Sequence, residues 1–139
     1  MGRVLSVLVL RNIRKCVGIE LFEDLDEIAR SNALRSRGRK APIEIICADA
    51  AMTDLSEGTI YFMCNPFGIE TLRDVLGNIR KSISQGPRRI KIVYYNSVHE
   101  ALFQSCEWLE KFDSFDTFTR RRVTFWRNRP SSARPESTD

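Results

Sequence analysis

The sequence has no apolar run long enough to cross a membrane, no C-x-x-C pair and a single histidine. A spanning helix needs about 20 consecutive apolar residues, so no membrane partner is expected. Four scattered cysteines, Cys16, Cys47, Cys64 and Cys106, have only His99 to join them, which argues against a zinc site, and no metal ligand is assigned. Three of these cysteines lie in apolar runs that read as buried strands. They are expected as small core thiols in a reducing compartment. The amino end lacks a signal-peptide cleavage site: Val4 to Leu10 is apolar, but Arg11, Asn12, Arg14 and Lys15 follow it. Met1-Gly2 with Ser6 fits the myristoylation pattern, which is too loose to carry weight. The expected location is cytoplasmic. Internal repeats are absent.

What is present suits one globular domain: 139 residues, 42 % hydrophobic and 29 % charged. The net charge of +4 is concentrated near the carboxyl end, at Arg120, Arg121, Arg122, Arg127, Arg129 and Arg134. A solvated basic edge with a loose tail is the plainer explanation, and contact with RNA, DNA or an acidic partner is the alternative.

Apolar runs alternate with helical patterns. Val17 to Leu21 is a short strand ending in an acid. Glu23 to Arg37 follows with Leu25, Ile28, Ala29, Asn32, Ala33 and Leu34 on one helical face. Its acids come first and its arginines last, matching the helix dipole, and Gly38 is a plausible stop. Ile43 to Ala48 is a second strand, ending at Asp49. Thr59 to Cys64 is a third, ending at Asn65-Pro66-Phe67-Gly68. Glu70 to Ser84 is an amphipathic helix broken by Gly86-Pro87. Ile90 to Tyr95 is a fourth strand and His99 to Gln104 a short helix. Trp108 to Phe115 and Arg121 to Trp126 close the pattern with no helix between them. The order implies an α/β fold with a mostly parallel sheet, strands buried on both faces, and an antiparallel pair at the carboxyl end. A domain over 1–127 and a disordered tail over 128–139 are expected. Arg3 to Leu10 suits a strand by propensity and a helix by position, and helix is chosen.

In an open parallel sheet, ligands bind beyond the carboxyl ends of the strands. Those ends carry Glu20, Asp49 and Asn65-Pro66-Phe67. Each acid alone fits helix capping equally well, but three such positions in register suggest a site. Gly2 precedes Glu20 at roughly the 20-residue spacing that separates a glycine turn from a ribose-binding acid. Glu20 is placed to accept from ribose hydroxyls and Asp49 from an adenine amino group.

These runs, Gly2-Arg3-Val4-Leu5, Val17-Gly18-Ile19-Glu20-Leu21, Glu27-Ile28-Ala29-Arg30 with Asn32, Cys47-Ala48-Asp49-Ala50, Phe62-Met63-Cys64-Asn65-Pro66-Phe67 and Ile92-Val93-Tyr94-Tyr95-Asn96, together resemble the class I S-adenosylmethionine-dependent methyltransferases. The resemblance covers nearly everything before the tail. It implies a three-layer Rossmann-like sandwich with a seven-stranded sheet. It implies that Glu20 holds the ribose of S-adenosylmethionine, that Leu21 or Phe22 packs beside the adenine, and that Asp49 with Ala50 recognises the adenine edge. Gly2 would end the glycine loop, with the first, central strand and most of that loop lying outside the sequence. Asn65, Pro66 and Phe67 take the place of the motif at the reacting methyl, where some amino-group methyltransferases have Asn-Pro-Pro-Tyr. Only one proline and a phenylalanine stand here, so the acceptor atom stays open, as does a plain strand-to-loop turn.

The expected activity is methyl transfer to a nucleophilic acceptor, with the protein positioning rather than bonding covalently. Tyr94, Tyr95, Asn96 and His99 are candidates to line the acceptor side, with His99 either a base or structural. Two alternatives belong to other classes: a non-catalytic remnant or interaction module, and a nicotinamide-dependent dehydrogenase. The closing strand pair and Asp49 argue against the latter.

Overall fold

Among residues 3–64 and 67–130, which the computed structural model describes, helices and strands alternate until two final strands. The chain divides into two compact units, Met1–Thr53 and Asp54–Asp139.

The first unit holds α1 (Arg3–Leu8), β1 (Cys16–Glu20), α2 (Glu23–Arg35) and β2 (Ile43–Cys47). β1 and β2 pair in parallel, Cys16 opposite Ile43 and Glu20 opposite Cys47. Position thus prevails over propensity in the first segment, which is helical. Gly18 shows why the helix can approach so closely. A Cβ there would lie 2.7 Å from Leu5 Cδ1 of α1 and 3.0 Å from Ile45 Cδ1. Three acids in the first turn of α2 and Arg35 in its last suit the dipole. The helix ends at Arg35, and Gly38 supplies a left-handed residue (φ 69°) in the loop beyond. Its buried face is rotated from the one expected. Asp26 and Ala29 are buried, whereas Ile28 and Leu34 are exposed. The rotation follows from an ion pair: Arg30 Nε donates to Asp26 Oδ2 at 2.6 Å while its Nη2 donates to the Ile45 carbonyl at 2.7 Å, tying α2 to β2.

The second unit holds β3 (Ile60–Cys64), α3 (Ile69–Gln85), β4 (Lys91–Tyr95), α4 (Glu100–Gln104), β5 (Leu109–Asp116) and β6 (Arg122–Asn128). Its sheet runs β3-β4-β6-β5. β3 and β4 are parallel; β6 is antiparallel to both β4 and β5. This is the mixed α/β pattern with a closing antiparallel pair. α3 buries Leu72, Val75, Leu76 and Ile79, the stripe expected from its periodicity. One face of the sheet carries Met63, Ile92, Tyr94 and Trp126, all buried. Phe103 of α4 stacks on Tyr94 (4.9 Å between centroids) and leans on Trp126 (5.3 Å).

Three polar devices hold this unit. Arg88 donates to the carbonyls of Gly58 and Leu55, to Tyr61 Oη and to Ser82 Oγ, fastening the 55–58 loop to the end of α3. Asn128 accepts the Ile90 N–H and donates to the Arg88 carbonyl, so its amide extends the β4–β6 ladder. The last strand therefore includes Asn128. Glu100, its side chain 17 % exposed, accepts from Lys111 Nζ at 2.7 Å and Arg122 Nε at 3.2 Å, binding α4 to β5 and β6.

Two expectations are corrected. The strands are not buried on both faces: Val17, Ile60 and Phe62 are exposed. Among the described residues β1 pairs only with β2, and β3 only with β4, which leaves an open edge on each. Nor are the cysteines all core thiols. Cys16 is buried and burial raises its thiol pKa, but Cys47 and Cys64 are exposed. Cys64 is one residue out of phase with buried Met63, so alternation turns it to the open face. Cys47 is the last residue of its strand and is exposed although it is in phase with buried Ile45.

Phe103→Ala should cost about 3–5 kcal/mol, because it removes the ring between Tyr94 and Trp126. Urea denaturation followed by tryptophan fluorescence measures this, and a loss near zero would show that the stack is not structural. Acid should weaken the Glu100 cluster. The hydrogen bond from Lys111, with help from Arg122, holds the Glu100 pKa below its usual 4.5. A depressed folded pKa contributes stability that is present above the unfolded value and lost as pH falls through the folded one. As pH falls from about 4.5, Glu100→Gln should therefore flatten the acid limb of the stability curve. Parallel curves for both proteins would exclude the carboxylate as its source.

Candidate functional site

The carboxyl ends of the parallel strands collect the polar residues singled out above, and each unit presents its own set. In the first unit β1 ends at Glu20 and β2 at Cys47, residues directly paired in the ladder. The Ala48 N–H continues the contact by donating to the Glu20 carbonyl at 3.0 Å. The Glu20 carboxylate is half-exposed and has no hydrogen-bond or ion-pair partner among the described residues. A carboxylate fixed at a strand end and left unpaired is available to accept from a ligand. Leu21 and Phe22 follow it, 60 % and 63 % exposed, at the entry to α2.

Asp49 lies just beyond β2 and is exposed. Its Oδ1 accepts the Ala51 N–H at 2.8 Å, and its carbonyl accepts from Met52 N–H and the Thr53 hydroxyl. One carboxylate oxygen therefore holds its own turn, as a capping acid does, while the other is open. Ala50 sits within that turn, half-buried. Met52, which sequence reasoning passed over, is 85 % exposed on the same loop. An apolar side chain isolated in an otherwise polar loop was its only signal. The chain beyond these two neighbouring strand ends thus carries both carboxylate acceptors, Glu20 and Asp49, and exposed apolar side chains, Leu21, Phe22 and Met52.

In the second unit β3 ends at Cys64, β4 at Tyr95 and β5 at Asp116. Asn65 and Pro66 lie outside the described residues, as does Gly2 of the first unit. Phe67 is described; it is half-buried and comes just before Gly68, the N-cap of α3. Tyr94 is corrected: it is fully buried in the aromatic core, with burial raising its pKa, and its hydroxyl accepts the His99 N–H. Alternation explains this, since Tyr94 is in phase with Ile92 on the helix-covered face. Tyr95 and Asn96 are half-exposed at the end of the strand. Asn96 has φ 54°, a left-handed conformation that asparagine tolerates better than most residues, and it turns the chain sharply into α4. His99 is the N-cap residue of α4, half-exposed, without a side-chain cap bond.

A shallow groove of about 530 Å³ lies at the opposite end of this sheet, lined by Ile60, Arg89, Lys91, Glu110 and Arg127 among others. It contains none of the residues at the carboxyl ends of the parallel strands. Among the described residues no group of three or more His, Cys, Asp or Glu could hold a metal ion, and no helix is long and apolar enough to cross a membrane.

No protein-family profile matches the chain, and no curated protein sequence does. Solved structures do. The PH0226 protein from Pyrococcus horikoshii OT3 is similar with a TM-score of 0.59 at 15 % identity, over 83 % of this chain and 72 % of that one. A provisionally assigned methyltransferase, yhhF from Escherichia coli, is similar with a TM-score of 0.56 at 12 % identity. That match covers 81 % of this chain but only 63 % of yhhF. At such identities the likeness establishes the fold, a mixed α/β architecture shared with these proteins, and nothing of the site.

Proposed function

We propose that this chain carries the greater part of a class I, S-adenosylmethionine-dependent methyltransferase domain and transfers a methyl group to a nucleophilic acceptor. The observation that carries the proposal is the unpaired Glu20 carboxylate at the end of β1, flanked by exposed Leu21 and Phe22. Shared fold with yhhF supports it.

The residues present fit the cofactor's nucleoside. Glu20 would accept from the ribose hydroxyls. Leu21, with Phe22, would cover the adenine, and Asp49 with Ala50 would meet its edge through the carboxylate oxygen that the turn leaves open. When bound, S-adenosylmethionine would supply a methyl already activated on a sulfonium, so the protein needs no nucleophile of its own. Its residues bind, orient and exclude water. Asn65, Pro66 and Phe67, which follow β3 in the sequence, are proposed to position the acceptor, with Tyr95 and Asn96, at the end of β4, also on the acceptor side. Gly2 would belong to the loop facing the methionine part. Neither acceptor nor acceptor atom is assigned.

The same proposal places this chain in a three-layer Rossmann-like sandwich that has a further, central strand. It therefore requires an apolar strand, ending in an acid and spaced glycines, ahead of Gly2. The intact mass of the protein from its native source, read with the frame upstream of Met1, tests that requirement.

Glu20→Ala should weaken S-adenosylmethionine binding at least 10-fold, about 1.4 kcal/mol, in a calorimetric titration. Its melting behaviour should stay close to wild type, because the side chain bonds to nothing among the described residues. Unchanged affinity would remove the ribose assignment. Tight binding of a reduced nicotinamide cofactor in place of S-adenosylmethionine would overturn the whole proposal.

A further inference from the structure

The β5–β6 hairpin ends in a five-residue tip, Thr117-Phe118-Thr119-Arg120-Arg121, that the fold does not use. The turn is well tied. Thr117 N–H donates to the Arg121 carbonyl, Arg120 N–H to the Thr117 carbonyl, and Arg121 N–H to Thr117 Oγ1. Phe118 is fully exposed, at 104 % of its reference surface. Arg120 adopts φ 57°, where arginine is uncommon.

The charges at the hairpin divide into two kinds. Arg122 is neutralised by Glu100 and Asp116, and Arg127 by Glu110. Arg120 and Arg121 have no side-chain partner among the described residues, and both are exposed. The tip therefore presents two uncompensated guanidinium groups beside a bare aromatic ring.

Its place in the sheet adds a second argument. Val123 pairs with Tyr95 on one side and Phe115 on the other, so the tip projects at the carboxyl end of β4. The Ser97 N–H donates to the Arg122 carbonyl at 3.2 Å, which joins the Asn96–Ser97 turn to the base of the hairpin. Tip and acceptor side thus share one end of this unit.

We propose that the hairpin tip is a binding surface for single-stranded nucleic acid, with Arg120 and Arg121 on backbone phosphates and Phe118 stacked on a base. The chemistry favours this occupant over an acidic peptide or a second copy of the chain. Guanidinium groups alone would serve any polyanion, but a fully exposed ring gains most from a flat partner that it can stack upon. Two copies of an unneutralised arginine pair would repel across a two-fold contact. The inference rests on the proposed methyl transfer only for its meaning, a nucleic-acid acceptor; the binding itself needs no cofactor.

The test is fluorescence anisotropy of the full chain with a labelled, mixed-sequence single-stranded RNA of about 12 nucleotides at low salt, without S-adenosylmethionine. The double variant Arg120→Ala/Arg121→Ala should bind roughly 10-fold more weakly and lower the salt slope by about 1.4, the counterions of two single-strand phosphates. Phe118→Ala should weaken binding at least about 5-fold through lost stacking. Arg11→Ala/Arg14→Ala, with the same charge removed from the other unit, should shift affinity by less than about 2-fold. Circular dichroism should be unaltered, since none of these side chains is buried. Absence of binding by the wild type, equal losses in both double variants, or no effect of Phe118→Ala would overturn the proposal. So would competition by an acidic peptide as effective as unlabelled RNA. Cofactor titration is separate, so failure of the RNA assay and failure of the methyltransferase proposal are distinguishable.

Discussion

The second unit is organised by the two-sided pairing of β4. This strand is bonded to β3 in parallel and to β6 in antiparallel fashion, and its inward residues Ile92 and Tyr94 are completely buried. Fixing a strand on both edges fixes its direction, and every neighbour then inherits an end. Cys64, Tyr95 and Asp116 finish at one edge of the sheet because β3, β4 and β5 run the same way. Phe67, Asn96 and the hairpin tip follow from that. Ligand sites in open sheets gather at such an edge because there the chain leaves the ladder and its side chains are free of the core.

Much of this was legible in the sequence, and for identifiable reasons. Strand and helix positions followed from apolar periodicity, as in α3, whose buried Leu72, Val75, Leu76 and Ile79 are the stripe that a 3.6-residue repeat requires. The antiparallel close was legible because two apolar runs had no room for a helix between them. The face of α2 was not. Hydrophobicity pointed to Ile28 and Leu34, whereas a charged residue, Asp26, turns inward because Arg30 spans from it to the Ile45 carbonyl. Charge pairing of this kind leaves no periodic trace.

The candidate site divides in the same way. Glu20 and Asp49 could be placed from strand ends alone, since an acid at the close of an apolar run needs a reason to be there. That Asp49 spends one oxygen on its own turn while Glu20 spends none could not be read from sequence, because both occupy equivalent positions. Met52 and the buried state of Tyr94 were hidden for a common reason: exposure of a single apolar or aromatic residue depends on which neighbours arrive, and those come from elsewhere in the chain.

The open edge of β3 bears on how the protein behaves in a test tube. Among the described residues no strand pairs with its outer side, and exposed Ile60 and Phe62 lie in a strand with no proline or charge to discourage a neighbour. Soluble proteins usually blunt such an edge with lysine, proline or a bulge, because a bare one templates cross-strand aggregation. Where no further strand covers that edge, the chain is disposed to self-associate through backbone ladders rather than through side-chain recognition, and low protein concentration is the appropriate regime for handling it.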